Sequence, residues 1–258
     1  MTRVGTSSPY APRPGAAPLP RLLAAQTRLE VRLLLRNGEQ LLLVAVIPAL
    51  VLLLFSVVDT LGTDLDDLVP GVLALAVVST AFTGQAIATG FERRYGVLKR
   101  LGASPLPRWA LLASKTGAVL VVEALQVLGI AAIGFALGWR PQGGVGALPA
   151  AVVLLLLGTA ACSGLALLMA GTLRAEATLA AANLLFLLLV GTGGLFLPLD
   201  RFPSGLAAVL ALSPAAALAD GLRDGLADGR GLPPGPCLVL LGWAVASGVL
   251  AARWFRWE

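Results

Sequence analysis

Six long runs of hydrophobic residues, separated by short polar stretches, fill most of the chain. They cover residues 41–58, 69–90, 110–138, 150–172, 177–197 and 236–252. Each run is close to the ~20 residues that an α-helix needs to cross roughly 30 Å of hydrocarbon. Strands of a membrane barrel would instead alternate polar and apolar residues over about 10 positions. The pattern therefore predicts an all-α membrane protein with six transmembrane helices.

The composition agrees with a location in the bilayer. Hydrophobic residues make up 57% of the 258 residues and charged residues only 13%, and the mean hydropathy is +0.87. Soluble domains carry about 25% charged residues. A soluble fold of this length could not bury so much apolar surface.

The basic residues are distributed unevenly between the two sides that six spans define. Of the 19 Lys and Arg residues, all but four lie on the side of the N-terminus. The four are Arg140, Arg201, Arg223 and Arg230. Because basic residues favour the cytosolic side, the chain is predicted to be a multi-pass protein of the plasma (inner) membrane with both termini in the cytosol. The net charge of +5 is then a topology signal, and nucleic-acid binding is not expected.

The N-terminal region divides into two segments. Residues 1–20 are rich in Pro, Gly and Ser without a hydrophobic core, which predicts a disordered cytosolic tail and not a signal peptide. Residues 21–38 predict a basic amphipathic helix along the inner headgroups, because four arginines fall within a sector of about 80°. These are Arg21, Arg28, Arg32 and Arg36. The alternative is an ordinary cytosolic extension of the first span.

A strongly basic loop, residues 91–109, lies between the second and third runs. If residues 91–101 are helical, Phe91, Tyr95 and Leu98 share one face, and Arg93 and Arg100 share the opposite one. Gly102 would end this helix, before the stiff corner Ser104-Pro105-Leu106-Pro107. Anchoring by positive charge alone would explain the arginines, but it needs neither the aromatic face nor the corner. The pattern favours a docking element for a cytosolic partner.

Two stretches resemble the ABC-2 type transporter permeases, and the resemblance is closest to the daunorubicin-resistance type of drug and lipid exporters. Residues 92–115 are similar to the pattern of the family's cytosolic loop, and residues 194–226 to that of its outer block. A departure is Leu197 before Pro198, where the common form has Phe-Pro directly. The first stretch matches at Glu92, Arg93, Gly96, Leu98, Leu101, Ser104, Pro105, Leu106, Arg108, Leu112 and Lys115.

The resemblance implies a division of labour between chains. Since no GxxxxGK[ST] phosphate loop occurs, ATP and Mg would be bound by two copies of a separate ABC ATPase, and this chain would carry no cofactor and no catalytic site. Residues 21–258 would form one transmembrane domain that pairs with a second permease, as a homodimer or a related heterodimer. Residues 21–38 would be its elbow helix and 91–101 its ATPase-coupling helix. The coupling residues would be Phe91, Glu92, Arg93, Tyr95, Leu98 and Arg100.

The segment 198–235 is too polar and too rich in proline to contain a complete span. Its apolar patches predict short re-entrant helices that dip into the outer leaflet and are shielded by the bundle. In the family, such helices cap the exit of the translocation path. An ordinary exposed loop is the alternative.

Four polar residues within the runs are candidates for the translocation path: Gln85, Glu123, Gln126 and Asn183. Glu123 is the only carboxylate well inside a predicted helix, and Gln126 lies three residues further on. Each could contact a substrate or form a hydrogen bond between helices, and the sequence leaves both roles open.

Other classes of function are less well supported. The chain has no His, and Cys162 and Cys237 are predicted in separate spans, so a metal site or a common form of intramembrane catalysis is not expected. An ion-coupled secondary transporter, or an intramembrane enzyme centred on Glu123, would need more buried charge or a catalytic pair. The sequence favours the permease of an ABC exporter that moves an amphipathic drug, lipid or glycolipid outward, as in antibiotic efflux.

Overall fold

The computed structural model describes residues 17–57, 64–196, 199–226 and 231–256. Within these ranges the chain forms helices and no strand. The α-helices are α1 (Leu19–Arg36), α2 (Gly38–Val57), α3 (Leu65–Val77), α4 (Gln85–Arg94), α5 (Val97–Gly102), α6 (Arg108–Ala136), α7 (Leu148–Thr172), α8 (Ala175–Thr192), α9 (Ser204–Leu210), α10 (Pro214–Leu226) and α11 (Pro234–Trp254). The predicted tail lies outside the described residues, apart from residues 17–20.

The prediction of an all-α membrane protein is confirmed. Among the described residues, five helical segments are long and apolar enough to cross a membrane: Leu65–Arg94, Arg108–Ala136, Leu148–Thr172, Ala175–Thr192 and Pro234–Trp254. The remaining predicted span corresponds to α2, whose apolar section is Val44–Ser56. Within the described residues, most of each predicted run therefore lies on a helix.

The second span is the central element of the bundle. It joins α3 to α4 through a π-helical turn, Val78–Gly84, and most of its apolar window is buried. Leu68–Val78 form an almost solvent-free row, and α2, α6, α7 and α10 all pack against α3. By contrast, α8 and α11 have few buried residues and present leucines outward, as helices that meet lipid or another chain do.

The predicted re-entrant segment contains a sharply bent helix pair. The axes of α9 and α10 differ by 100°, and Pro214 begins the second helix. Small residues along α10, such as Ala215 and Ala219, are buried and bring it close to α3, α7 and α11. The bundle thereby shields most of α10 from its surroundings.

The predicted single helix over residues 91–101 is wrong in its continuity. The second span continues to Arg94, the chain turns at Tyr95 and Gly96, and α5 follows. Gly96 has a φ of +70°, a left-handed conformation that glycine adopts readily, and this residue breaks the helix. Phe91 and Leu98 therefore belong to different helices and do not share a face.

Candidate functional site

A buried ionic cluster joins three helices at the end of the bundle that carries α1. The Lys115 ammonium nitrogen of α6 lies 2.6 Å from Glu92 Oε2 of α4 and 3.0 Å from Glu30 Oε2 of α1. The Gln26 amide donates a further hydrogen bond of 2.8 Å to Glu30 Oε1. Lys115 and Glu30 expose only 5% and 8% of their side chains, and Glu92 exposes 24%. We call Glu30, Glu92 and Lys115 the Lys115 cluster.

The cluster explains the orientation of α1. The helix packs along α6 and turns Gln26 and Glu30 inward, whereas Arg21, Arg28, Arg32 and Arg36 are all exposed. The basic face predicted from the sequence is therefore open to its surroundings. The helix is held to the bundle by Glu30, which meets a cation from α6, and by Leu22 and Leu23, which pack against a buried hydrophobic cluster of α5, α6, α7 and α11.

The six predicted coupling residues have different environments. Tyr95 is 67% exposed and Arg100 is exposed, so both are accessible at the end of the bundle. Leu98 is fully buried in a second hydrophobic cluster, with Leu111, Leu167 and Phe255 among its members. This cluster fastens α5 to the bundle.

The other three coupling residues also make internal contacts. Phe91 stacks on Tyr95, with 6.1 Å between the ring centroids, and Glu92 belongs to the Lys115 cluster. The Arg93 guanidinium donates a hydrogen bond to the Leu173 carbonyl oxygen in the connection between α7 and α8. Arg94 pairs with Glu176 of α8 at 2.5 Å. The turn before α5 is therefore tied directly to the start of the fifth span.

A large cavity of about 580 Å³ opens among α2, α3, the π-helical turn, α4 and α8. Its walls are mostly apolar and include Ile47, Pro48 and Phe186. Polar side chains on the π-helical turn and α8 interrupt this surface: Ser79, Thr83 and Asn183. This volume lies in the range of sites that bind drug-sized ligands.

The predicted path residues do not converge on one site. Asn183 lines the large cavity, whereas Gln85 lines a small cavity of about 40 Å³ beside the Lys115 cluster. Gln126 links three spans, because it accepts a 2.8 Å hydrogen bond from Thr80 and donates one of 2.9 Å to the Val44 carbonyl oxygen. Glu123 is 2% exposed and accepts a 2.5 Å hydrogen bond from Thr159 of α7. It lines neither cavity.

A second buried cation lies at the opposite end of the second span. Arg223 of α10 donates to the Leu195 carbonyl oxygen at 2.9 Å and to Asp220 Oδ1 at 3.1 Å. Its Nε contacts the Asp67 carbonyl oxygen at 3.4 Å. A Cβ atom on Gly71 would lie 1.8 Å from the Leu195 carbonyl oxygen, so only glycine fits there. We call Arg223 with these partners the Arg223 cluster.

Comparison with known families identifies the class of protein. Residues 21–227 match the family model of the ABC-2 type transporter. The chain belongs to this family. No curated protein matches it. It is therefore a multi-pass membrane permease of an ABC transporter, and permeases of this family work with ABC ATPase partners.

Three features of the permease were not predicted as parts of a site. Glu30 pairs with Lys115, which is 85 residues away along the chain. The sequence feature that could have indicated this contact is the pair of polar residues Gln26 and Glu30 on the face of α1 opposite its arginines. Arg223 was visible only as a residue of the outer block. The π-helical turn has no sequence signal that we recognise.

Proposed function

We propose that the permease is the membrane subunit of an ABC exporter that moves an amphipathic drug, lipid or glycolipid outward. The observation that carries this proposal is the large cavity. Its apolar walls suit an acyl chain or an aromatic ring, and Ser79, Thr83 and Asn183 offer hydrogen bonds to a polar end. A substrate with an apolar part and a polar end would be complementary to the surface of this cavity.

The proposed complex contains two permeases and two ATPase chains, which bind ATP and Mg. Polar Asn183 is exposed on α8, a helix with few buried residues. A polar group facing lipid is costly, whereas one facing a central path between two permeases is hydrated or bound to substrate. A homodimer that meets across the α8 side would give Asn183 such surroundings.

The proposed ATPase contact is narrower than residues 91–101. Tyr95 and Arg100 provide accessible surface, while Leu98 and Glu92 fasten the turn and α5 to the bundle. Arg93 and Arg94 connect the same turn to α8, whose residues Asn183 and Phe186 line the large cavity. A displacement of the turn by the ATPase would thus reach the cavity wall through two direct contacts.

The first experiment is affinity purification of the permease from its native membrane in a detergent that preserves complexes. We expect an ABC ATPase to co-purify and Tyr95→Asp with Arg100→Glu to release it. Leu173→Asp is unsuitable as a control because Arg93 bonds to that residue, and Trp254→Asp because Trp254 adjoins Phe255 of the cluster that buries Leu98. Val209→Asp changes an exposed hydrophobic residue of α9 and should retain the ATPase. Isolation of the permease without any ATPase would contradict the proposal.

The second experiment addresses the cavity. The reconstituted complex would be assayed for ATP-dependent movement of a fluorescent phospholipid and of a cationic amphipathic dye. Phe186→Ala and Asn183→Leu should change transport of at least one probe, because both residues line the large cavity. Leu187→Ala, on the same helix but outside the lining, is the matched control. Equal transport by all variants would contradict a path through this cavity.

The alternatives centred on Glu123 gain no support from its surroundings. Its carboxylate bonds to a threonine hydroxyl of the neighbouring helix and lines neither cavity. This geometry is that of a contact between helices.

A further inference from the structure

The small cavity beside the Lys115 cluster is lined by polar residues from several segments, although most of its surface is apolar. Its polar residues come from four segments: Glu30, Thr80, Gln85, Thr89, Glu92 and Lys115. The remaining lining is aliphatic, from residues such as Leu34, Val44 and Val119. The cavity is therefore a small compartment with mostly apolar walls into which a few polar groups reach.

The charges in this compartment do not balance. Glu30 and Glu92 bring two carboxylates, and Lys115 brings one ammonium group that lies within 3.0 Å of both. The basic residues next to Glu92 are engaged elsewhere, since Arg93 bonds to Leu173 and Arg94 to Glu176. With both carboxylates ionised, the described residues leave one negative charge in a largely apolar site, which is costly unless a positive charge accompanies it.

A second observation, besides the unbalanced charge, concerns the side chain of Gln85. It is 5% exposed and lines the cavity, yet neither its amide oxygen nor its amide nitrogen has a hydrogen-bond partner among the described residues. Gln126, another buried glutamine of this region, is bonded through both atoms. Buried amides are nearly always satisfied, so a side chain with two open positions indicates a bound species in the cavity.

Three of the oxygen-bearing residues of the lining belong to α4. Gln85, Thr89 and Glu92 follow one another at spacings of four and three residues on α4, which puts them on one face of the helix. Glu30 of α1 lines the same space. Thr80 donates its hydroxyl proton to Gln126, which leaves the lone pairs of its oxygen for another partner. Amide, hydroxyl and carboxylate oxygens together form a hard ligand set.

We propose that this cavity binds one monovalent alkali cation, with sodium as the best fit. A single positive charge neutralises the excess of the Lys115 cluster, whereas a divalent ion would reverse it. A volume of about 40 Å³ accommodates a small ion with one or two waters. The described residues contain no group of three acidic, His or Cys side chains that would hold a divalent metal. Sodium then stabilises the junction of α1, α4 and α6, whatever the cargo or direction of transport.

The test uses the purified full-length permease in detergent. Its thermal unfolding midpoint is measured in sodium chloride and in choline chloride at equal ionic strength, and binding of ²²Na⁺ is measured directly. We expect a saturable rise of the midpoint by about 2–4 °C in sodium and binding of about one ion per chain.

Two variants separate the site from general salt effects. Gln85→Leu replaces an amide without partners by an apolar side chain of similar size, so the protein should fold and lose the sodium effect. Glu92→Gln should also lose the effect, because it removes the excess negative charge. Asn183→Leu, in the large cavity, should keep it.

Three results would overturn the proposal. Equal midpoints in sodium and choline without ²²Na⁺ binding would mean that water alone fills the cavity. An undiminished sodium effect in Gln85→Leu would mean adventitious binding elsewhere. Stabilisation by lowering the pH in choline, with no response to sodium, would mean that a proton supplies the missing charge. Each result is independent of whether an ATPase partner is found.

Discussion

The Lys115 cluster and the Arg223 cluster hold opposite ends of the same helical span, and they use different partners. Lys115 is a point charge between two carboxylates, at 2.6 and 3.0 Å. Arg223 directs its planar group to the carbonyl oxygens of Asp67 and Leu195 and to one carboxylate. The first cluster joins regular helices to one another. The second joins the Leu195 carbonyl oxygen, in the turn after α8, to the first turn of α3.

This difference follows from what each end of the bundle contains. Around Lys115, α1, α4 and α6 are continuous, so their backbone groups are already paired and only side chains can join them. Around Arg223, the chain leaves α8 and enters bent helices, which exposes carbonyl oxygens. Arginine suits the second situation because its several N–H groups reach separate acceptors at once.

The largest effect should come from Lys115→Met, which leaves Glu30 and Glu92 buried without their cation. We expect a loss of about 3–5 kcal/mol in the free energy of unfolding, measured by denaturation in detergent. Adding Glu30→Gln and Glu92→Gln should restore most of the loss, since no uncompensated charge then remains. Normal stability of Lys115→Met alone would show that the cluster does not hold these helices.

Arg223→Lys should have the next largest effect, a loss of about 2–3 kcal/mol in the free energy of unfolding, because an ammonium group cannot replace the bonds to both carbonyl oxygens. Lys115→Arg tests the reverse exchange, and its larger group should fit poorly in a site built for a point charge. Protease accessibility of the connection after α8 should increase in Arg223→Lys. If Arg223→Lys behaves as the unaltered protein does, the planar geometry of the guanidinium is not required.

Gly71→Ala should cost about 1–3 kcal/mol, because its Cβ would overlap the Leu195 carbonyl oxygen. The matched change beside the other cluster is Gly117→Ala in α6. There the Cβ would meet only a Thr27 methyl group at 3.4 Å, so the helix should tolerate it or gain up to about 1 kcal/mol. Unfolding midpoints of the two variants should therefore move in opposite directions or differ clearly. Similar midpoints would contradict the close approach at Gly71.

The smallest effect should come from Asp67→Asn. The Asp67 side chain is 41% exposed and lies 3.9 Å from Arg223, so the ion pair is worth about 1 kcal/mol or less. Raising choline chloride should weaken this pair further, while the Lys115 cluster should respond little because it is buried. A larger loss in Asp67→Asn than in Arg223→Lys would reverse our assignment of the important bonds.

The helical fold could be predicted because a helix that crosses the membrane consists of one continuous run of apolar residues. The six apolar runs could be recognised without information from distant parts of the chain, and the prolines of residues 198–235 indicated that this segment does not cross as one helix. The first and last residues of the spans could be predicted less accurately. Leu65–Arg94 extends beyond the predicted run 69–90, since helical geometry continues into residues whose polarity places them near the membrane surface.

The contacts at the sites could not be predicted in the same way. The inward direction of Glu30 depends on Lys115, and that of Arg223 on a carbonyl oxygen at Leu195. Phe91 and Leu98 are separated because the backbone turns at Gly96, whereas the prediction treated residues 91–101 as one continuous helix. The spacing of side chains shows which residues share a face of one helix, but it does not show which residues of another helix they contact.

The span from Leu65 to Arg94 carries both clusters, with Asp67 near one end and Glu92 near the other. The distance between them is roughly 37 Å at 1.5 Å per residue. In mechanical terms, this helix is a strut pinned at both ends, and the π-helical turn is the section that departs from regular α-helical geometry. A return of this turn to regular α-helical geometry would twist one half of the strut against the other, and the wall of the large cavity that Ser79 and Thr83 form would turn with it.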